Sequence, residues 1–346
     1  MFKCVFIKIR ALILPFFICL FIFLLLLFSK NNINAAKSGL SLWANSILPS
    51  LLPFFIATEL LGYTNVVHLC GKLLSKIMRP IFNVPGEGAF ALLMGIISGY
   101  PVGAKIVANL KEKKLCNEIE AERLLAFTNN SGPLFIIGTV GIGMFYSFSI
   151  GLILFVTHLL SCLTVGFIFR WWGKSKEKYH RNTDCALPSF SLSFNNLGEL
   201  LSKSILTSIN TILMIGGFVV IFSIIISMLN TTNILQAISS QLFNLLGIPE
   251  VFTLSIITGF IEVTNGISYI SSTLAFSINL KIIICSFVLG FGGFSVLLQV
   301  LSITSKANIS IKPYFVGKLL QAFFAVFYTY LLIWIKLSIR KKLKII

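Results

Sequence analysis

Apolar runs of about 20 residues recur along the whole chain, and they limit the possible folds more than any other feature of the sequence. A helix of that length crosses the hydrocarbon layer of a bilayer, which is about 30 Å thick. Of the 346 residues, 56% are hydrophobic and only 11% are charged, whereas soluble domains carry about 25% charged residues. The sequence therefore predicts an all-α polytopic membrane protein.

The predicted membrane segments follow one another with short polar breaks. By length and hydropathy they are Ala11–Phe28, Leu40–Tyr63, 84–109, Leu124–Phe145, Ser147–Phe169, Ile205–Leu229, 250–276, Ile282–Thr304 and Tyr314–Ile335. The first run is long and lacks a small-x-small cleavage site, so we interpret it as a retained span and not as a signal peptide. Two amphipathic stretches, Gly62–Phe82 and Thr232–Leu246, are predicted to lie at the membrane interface.

The formal net charge of +17 comes from basic residues in short loops beside the spans. Loops 72–79, 111–123 and 170–203 are predicted to face the cytoplasm, since lysine and arginine are enriched on that side. Lysine and arginine are absent between Asn230 and Leu280, which places that stretch at the opposite side. Scattered charges do not form the stripe that nucleic acid requires, and the sequence carries no nucleophile elbow, P-loop or metal motif. Neither an enzyme nor a cofactor is predicted.

Glycine, proline and polar residues interrupt segment 84–109, and we predict that it is a re-entrant hairpin. Non-helical backbone at membrane depth is tolerated only inside protein or against a water-filled cavity, so the hairpin tip is a candidate solute-binding site. The candidate residues here are Ser98, Gly99, Tyr100, Pro101, Gly103 and Lys105. Lys105 either contributes a positive charge to the site or extends to the cytoplasmic face.

Segment 250–276 is predicted to be a second re-entrant hairpin, with Glu262, Thr264 and Asn265 as candidate site residues. Glu262 either pairs with Lys105, binds a coupling proton or cation such as Na+, or caps a helix.

Two further spans contain helix-breaking residues. The stretch TNNSGPLFIIG supplies Asn129, Asn130, Ser131 and Gly132, and GFGGFSVLLQV supplies Gly292, Gly293 and Ser295. Uncharged polar groups in this number suit hydrogen bonding to a polar solute. The alternative is that the glycines and small residues serve close helix packing.

Self-comparison of the sequence indicates a duplicated unit. Residues 126–140 align with residues 286–300, and Phe127/Phe287, Gly132/Gly292 and Val140/Val300 are identical pairs. Together with the charge asymmetry, the alignment predicts an inverted repeat with two broken transmembrane helices, an architecture of secondary transporters. The predicted organisation is an N-terminal transmembrane helix (1–38), a first repeat (39–172), a cytoplasmic linker (173–203), a second repeat (204–337) and a basic tail (338–346).

At FNVPGEGAFALLMGIISGYPVGAKI (Phe82–Ile106) and ERLLAFTNNSGPLFIIGTVGIGMF (Glu122–Phe145) the chain closely resembles a family of sporulation integral membrane proteins. That family belongs to the nucleoside-recognition, or gate-domain, group, which is similar to concentrative nucleoside transporters. The resemblance runs from about Gly39 to the last span. At GFGGFSV, glycines stand where the nucleoside transporters have asparagine, which argues against a nucleoside substrate.

The resemblance implies a spore-forming bacterium and transport of dipicolinic acid, a small aromatic dianion, into the forespore across the outer forespore membrane. It implies a solute site formed by Ser98–Lys105, Asn129–Pro133, Glu262–Asn265 and Gly290–Ser295, and, by analogy, a homo-oligomer. Our hypothesis is alternating-access transport of a small anion in the lipid bilayer. The alternatives are a non-transporting membrane scaffold for spore envelope assembly and a nucleoside transporter.

Overall fold

The computed structural model describes residues 2–64, 66–173 and 196–343. Most of the predicted linker, residues 174–195, and the last residues of the predicted basic tail, 344–346, lie outside the described residues. Within the described ranges every regular element is a helix. This confirms the prediction of an all-α protein.

In the described residues of the N-terminal half, one helix follows another and no strand separates them. They are α1 (Phe2–Leu27), α2 (Ser29–Leu42), π1 (Trp43–Ile47), α3 (Leu48–Gly62), α4 (Val66–Phe82), α5 (Gly88–Ser98), α6 (Val102–Glu112), α7 (Glu118–Thr128), π2 (Leu134–Met144) and α8 (Phe148–Phe169). Here α2, π1 and α3 form one continuous helical segment. The helix expected over Leu40–Tyr63 therefore begins earlier, at Ser29.

The C-terminal half also consists of long helices with shorter helices between them. Its helices are α9 (Leu197–Thr231), α10 (Ile234–Leu246), α11 (Glu250–Ile261), α12 (Val263–Ser272), α13 (Ile278–Phe291), α14 (Gly293–Lys306) and α15 (Lys312–Leu343).

Five of the described segments are long and apolar enough to cross a membrane. They are Ser29–Gly62, Phe148–Phe169, Leu197–Thr231, Ile278–Lys306 and Lys312–Ile335. Shorter apolar helices, among them Leu12–Leu27, Gly88–Ser98 and Glu250–Ile261, lie between or beside them. The chain is therefore an integral membrane protein in which long spans alternate with short apolar helices.

Local sequence signals explain where the short helices begin and end. Asn117 and Glu120 form a capping box at the start of α7: the Asn117 side chain accepts from Glu120 N at 2.8 Å, and Glu120 Oε2 accepts from Asn117 N at 3.0 Å. At Gly292, φ is +84°, a conformation that favours glycine and separates α13 from α14. The predicted interruption of 282–304 is therefore a single residue wide.

Each predicted hairpin segment contains two short helices that fold back on each other. In the first, a Cβ on Gly95 of α5 would stand 3.2 Å from the Cα of Gly103 on α6. In the second, a Cβ on Gly266 of α12 would overlap the Cα of Gly259 on α11. Both pairs of backbones are in direct contact, which requires residues without side chains at the crossing.

Helix α15 is one of the elements that join the two halves. It packs against α13 on one side and against α8 and α7 on the other, while α9 packs against α2 and α3. The ion pair between Arg79 and Glu120 at 3.1 Å and the stacked rings of Phe82 and Phe127 fix α4 against α7. These contacts hold the interrupted helices around a common centre.

Candidate functional site

A cavity lies where the interruptions of the two halves meet. It encloses about 490 Å³ of empty space, open mouth included. Its wall takes residues from the α5–α6 turn, the α7–π2 break, the α11–α12 junction and the start of α14, and α3, π1 and α9 complete it with apolar side chains. The cavity is therefore lined by both predicted hairpins, by the first predicted helix break and by α14, the helix that follows the second.

The turn between α5 and α6 forms one side of this cavity. Gly99 has φ of +87°, and the Tyr100–Pro101 peptide bond is cis. A Cβ on Gly99 would lie 2.9 Å from the backbone N of Gly132, so the turn rests directly on the α7–π2 break. Tyr100 projects its ring toward the cavity, which it lines.

Residues 129–132 form the α7–π2 break, and the polar side chains among them are buried. Asn129, Asn130 and Ser131 are each at most 2% exposed. The Asn129 amide accepts from Ala104 N at 3.3 Å and donates to the Tyr314 hydroxyl at 3.1 Å. Asn129 thus holds the break to α6 and α15, and it does not line the cavity itself.

The α11–α12 junction consists of the single non-helical residue Glu262, which is 2% exposed. Its carboxyl accepts from Asn265 N at 2.7 Å and caps α12. The Asn265 side chain turns away and donates to Ser223 of α9 at 3.0 Å. Of the three roles predicted for Glu262, helix capping is visible in this structure, and its position at the cavity wall leaves ion binding open.

The two halves touch each other through Tyr100 and Gly292. A Cβ on Gly292 would lie 2.9 Å from the Tyr100 hydroxyl. That hydroxyl donates to Leu289 O at 3.4 Å. The turn of the first half therefore seats its aromatic ring in the helix break of the second half, which has room for it because the position is glycine.

Behind Tyr100 lies a buried polar cluster that we define as Tyr100, Asn130, His158, Lys318 and Gln321. Lys318 is 1% exposed, and its Nζ donates to Gln321 Oε1 at 2.7 Å and to Asn130 Oδ1 and the Tyr100 hydroxyl at 3.4 Å each. Gln321 Nε2 donates to Asn130 Oδ1 at 2.9 Å and lies 3.4 Å from His158 Nε2. A buried ammonium group surrounded by neutral amides and a phenol is an unusual feature of a membrane protein interior.

Sequence reasoning missed the α15 half of this cluster. Lys318 and Gln321 lie one helical turn apart in the last apolar run, and a lysine within such a run was the signal that could have found them. His158 in α8 also belongs to this cluster. Its Nε2 accepts from Ser131 N at 3.3 Å, and it is 3% exposed.

The structure brings part of the predicted site together. The predicted residues that line the cavity are Gly99, Tyr100, Ser131, Gly132, Glu262 and Thr264, and Gln299 joins them. Asn130 belongs to the cluster behind it. Ser98, whose hydroxyl is 2.7 Å from that of Thr58, and Ser295, which accepts from Gln299 at 3.4 Å, take part in buried hydrogen bonds.

The remaining predicted residues lie behind the cavity wall. Gly103 packs against the carbonyl of Thr128, Gly293 packs against Val263 N, and Pro101 precedes α6. Lys105 forms an ion pair with Glu59 of α3, with about a quarter of each side chain exposed. Lys105 therefore already has a counter-charge, and it does not pair with Glu262.

Comparison with known proteins shows which family this chain belongs to. A family model described as nucleoside recognition (Gate) matches residues 44–170, the stretch from π1 through α8. The chain is 37% identical over 340 residues to the sporulation integral membrane protein YlbJ of Bacillus subtilis (strain 168), and the alignment covers 94% of this chain and 83% of that relative. No solved structure matches the chain. At this identity over nearly its whole length, the chain belongs to the YlbJ family of sporulation integral membrane proteins.

Proposed function

We propose that this protein is a membrane transporter of a small anionic solute. The observation that carries the proposal is one cavity lined by the helix pairs α5–α6 and α11–α12, by the α7–π2 break and by α14, with the break at Gly292 in contact with Tyr100 of the cavity wall. Interrupted backbone at membrane depth leaves polar groups that need partners, and secondary transporters use such interruptions to bind solutes near the middle of the membrane.

In this proposal, α5–α6 and α11–α12 are re-entrant hairpins, and the two halves are inverted repeats. Three features support it: the close glycine contact within each hairpin, the helix breaks at the aligned positions Gly132 and Gly292, and the absence of lysine and arginine between Asn230 and Leu280. Alternating access would then come from movement of the hairpins relative to the long spans α3 and α9.

Dipicolinic acid is the solute that we propose, moved across the outer forespore membrane during sporulation. Membership of a sporulation family supports the setting. The cavity wall offers the aromatic rings of Tyr100 and Phe135 to a planar ring, and the ammonium group of Lys318 lies behind Tyr100 at 3.4 Å from its hydroxyl. Glu262 is the proposed site for a coupling proton or Na+.

Two other functions remain as alternatives. The name of the matching family model, nucleoside recognition, favours a nucleoside as the competing solute. A scaffold for spore envelope assembly would use the same glycines only for packing.

The experiment is uptake of radiolabelled dipicolinate into liposomes that contain the purified protein, with empty liposomes as the control and labelled uridine as the competing substrate. Uptake would be measured under an imposed proton gradient, an imposed Na+ gradient and no gradient. Saturable dipicolinate uptake supports the proposal, and saturable uridine uptake alone supports nucleoside transport. No uptake of either by a folded protein favours the scaffold.

A further inference from the structure

We infer that Lys318 is the group that binds a carboxylate of the transported anion, and that Tyr100 separates it from the cavity. This inference rests on the proposed transport function and assigns the residue that recognises the charge of the solute. It replaces Lys105 in that role.

The first argument is the absence of a counter-charge beside Lys318. Among the residues that the structure describes, the ion pairs are Arg79–Glu120 and Lys105–Glu59, and no carboxylate lies within 4 Å of Lys318 Nζ. Removing an ammonium group from water costs several kcal/mol, and a partner anion is what normally offsets this. An anionic solute supplies that partner.

The second argument is the donor-rich surroundings. Two of the three bonds of Lys318 Nζ are 3.4 Å long, and both go to neutral oxygen atoms. The amide Nε2 of Gln321 donates to the same Asn130 oxygen at 2.9 Å, so two donors converge on one neutral acceptor. A carboxylate accepts from several donors at once, so it suits these donors better than the neutral amide oxygens of Asn130 and Gln321, to which Lys318 now donates.

The third argument is the position of Tyr100 between the cluster and the cavity. Its ring lines the cavity, and Lys318 Nζ lies 5.1 Å from the ring centroid. Because Tyr100 belongs to the short α5–α6 turn, a shift of that turn moves the ring out of the Gly292 break and opens Lys318 to the cavity. Binding of the anion and movement of the hairpin are therefore coupled through one side chain.

Lys105 lacks these properties. Its ammonium group contacts the Glu59 carboxyl, and both side chains are partly exposed. An anion that binds Lys105 has to compete with a carboxylate already in place. The two lysines thus form a matched pair for experiment, one without an acidic partner and one with.

The test compares Lys318→Met and Lys318→Arg with Lys105→Met in dipicolinate uptake by liposomes and in dipicolinate binding by the detergent-solubilised protein. We expect Lys318→Met to weaken binding roughly 10- to 100-fold, the loss of one charge-assisted hydrogen bond, Lys318→Arg to retain part of it, and Lys105→Met to change it less. Native affinity and uptake in a folded Lys318→Met protein would overturn the inference and leave the proposed function intact. Absence of dipicolinate binding by the native protein would overturn both.

A second measurement needs no variant and so does not depend on how Lys318→Met folds. Picolinate and picolinamide share the pyridine ring and differ in the negative charge of one group. The native protein should bind picolinate at least about 10-fold more tightly than picolinamide. Equal affinities would overturn the assignment of a carboxylate-binding lysine.

Discussion

The side-chain amide of Asn129 donates a hydrogen bond of 3.1 Å to the hydroxyl of Tyr314, although 185 positions separate the two residues in the chain. Both residues are at most 1% exposed. Because this bond joins the α7–π2 break to α15, Tyr314→Phe should destabilise the protein by about 1–3 kcal/mol, the cost of leaving a buried donor without its partner. The measurement is the free energy of unfolding in detergent.

A double-mutant cycle with Asn129→Ala separates this bond from other effects. The Asn129→Ala, Tyr314→Phe protein should be more stable than the sum of the single changes predicts, by about 0.5–3 kcal/mol. Strictly additive effects would contradict a direct bond between the two side chains.

Gly95→Ala should destabilise the protein by about 1–3 kcal/mol because it overpacks the first hairpin. The new Cβ would overlap the carbonyl oxygen of Thr128 and would stand 3.2 Å from the Cα of Gly103. Gly217→Ala is the matched control, since it lies in α9 with nothing within 4 Å of the added Cβ. There we expect no loss of stability, and thermal unfolding in detergent measures both. An equal loss in the two variants would argue against close packing in the hairpin.

The Glu59–Lys105 pair offers a test of whether Lys105 binds the solute or only forms the ion pair with Glu59 of α3. Lys105→Gln leaves Glu59 without its partner, so stability should fall and uptake should fall only in proportion to the loss of folded protein, and the double change Glu59→Gln, Lys105→Gln should restore both. We expect this recovery because the single change leaves the Glu59 carboxylate without a counter-charge, whereas the double change leaves no charge there. Uptake lost in the double variant, with stability restored, would show instead that Lys105 binds the solute.

Glu262→Gln should keep the fold, since the glutamine side chain still offers an oxygen to Asn265 N in place of the present 2.7 Å bond. It removes the group that can exchange a proton or bind Na+. Dipicolinate uptake by this variant should therefore no longer respond to the imposed proton or Na+ gradient that drives native uptake. Glu250→Gln, at the exposed start of α11, is the control. If Glu262→Gln retains the full response to the gradient, the coupling ion binds elsewhere.

The predicted opposite orientation of the two hairpins can be checked with single cysteines in a variant that lacks the seven native ones. A membrane-impermeant maleimide applied to intact cells should label Leu274→Cys, whose native side chain is 97% exposed, and should leave Lys113→Cys unlabelled until the cells are opened. Native Cys116 is a poor reporter for that loop, because burial raises the pKa of its thiol to about 12 and keeps it protonated at labelling pH. Labelling of both positions from outside would contradict the inverted arrangement.

The sequence predicted the interruptions well because their signals are local. Glycine, proline and polar residues inside an apolar run stand out against the composition around them, so the turn at Gly99–Pro101, the break at 129–132, and the single-residue breaks at Glu262 and Gly292 were all predictable. What could not be foreseen was the π-helical winding of Leu134–Met144, for which the residues carry no distinct pattern.

The contacts within the polar cluster were not predictable for a different reason. Asn130 and Lys318 are 188 positions apart, and no periodicity within either helix says that they meet. Lys318, near the start of the long α15, has the sequence context of a lysine that extends to the membrane surface. Lys105, inside the glycine-rich hairpin, was the more conspicuous lysine, and its partner Glu59 lies 46 positions away. The roles of both lysines depend on tertiary contacts alone.

Helix α15 gives this architecture a definite order of assembly. Asn130 and His158 enter the membrane early in synthesis, yet the groups that donate to the Asn130 side-chain oxygen, Lys318 and Gln321, belong to the last helix of the described chain. A chain that lacks α15 holds the side-chain oxygen of Asn130 without either of these donors. The polar cluster is therefore complete only once α15 has packed against α7 and α8, so the last described helix decides whether the polar groups of the earlier ones are paired.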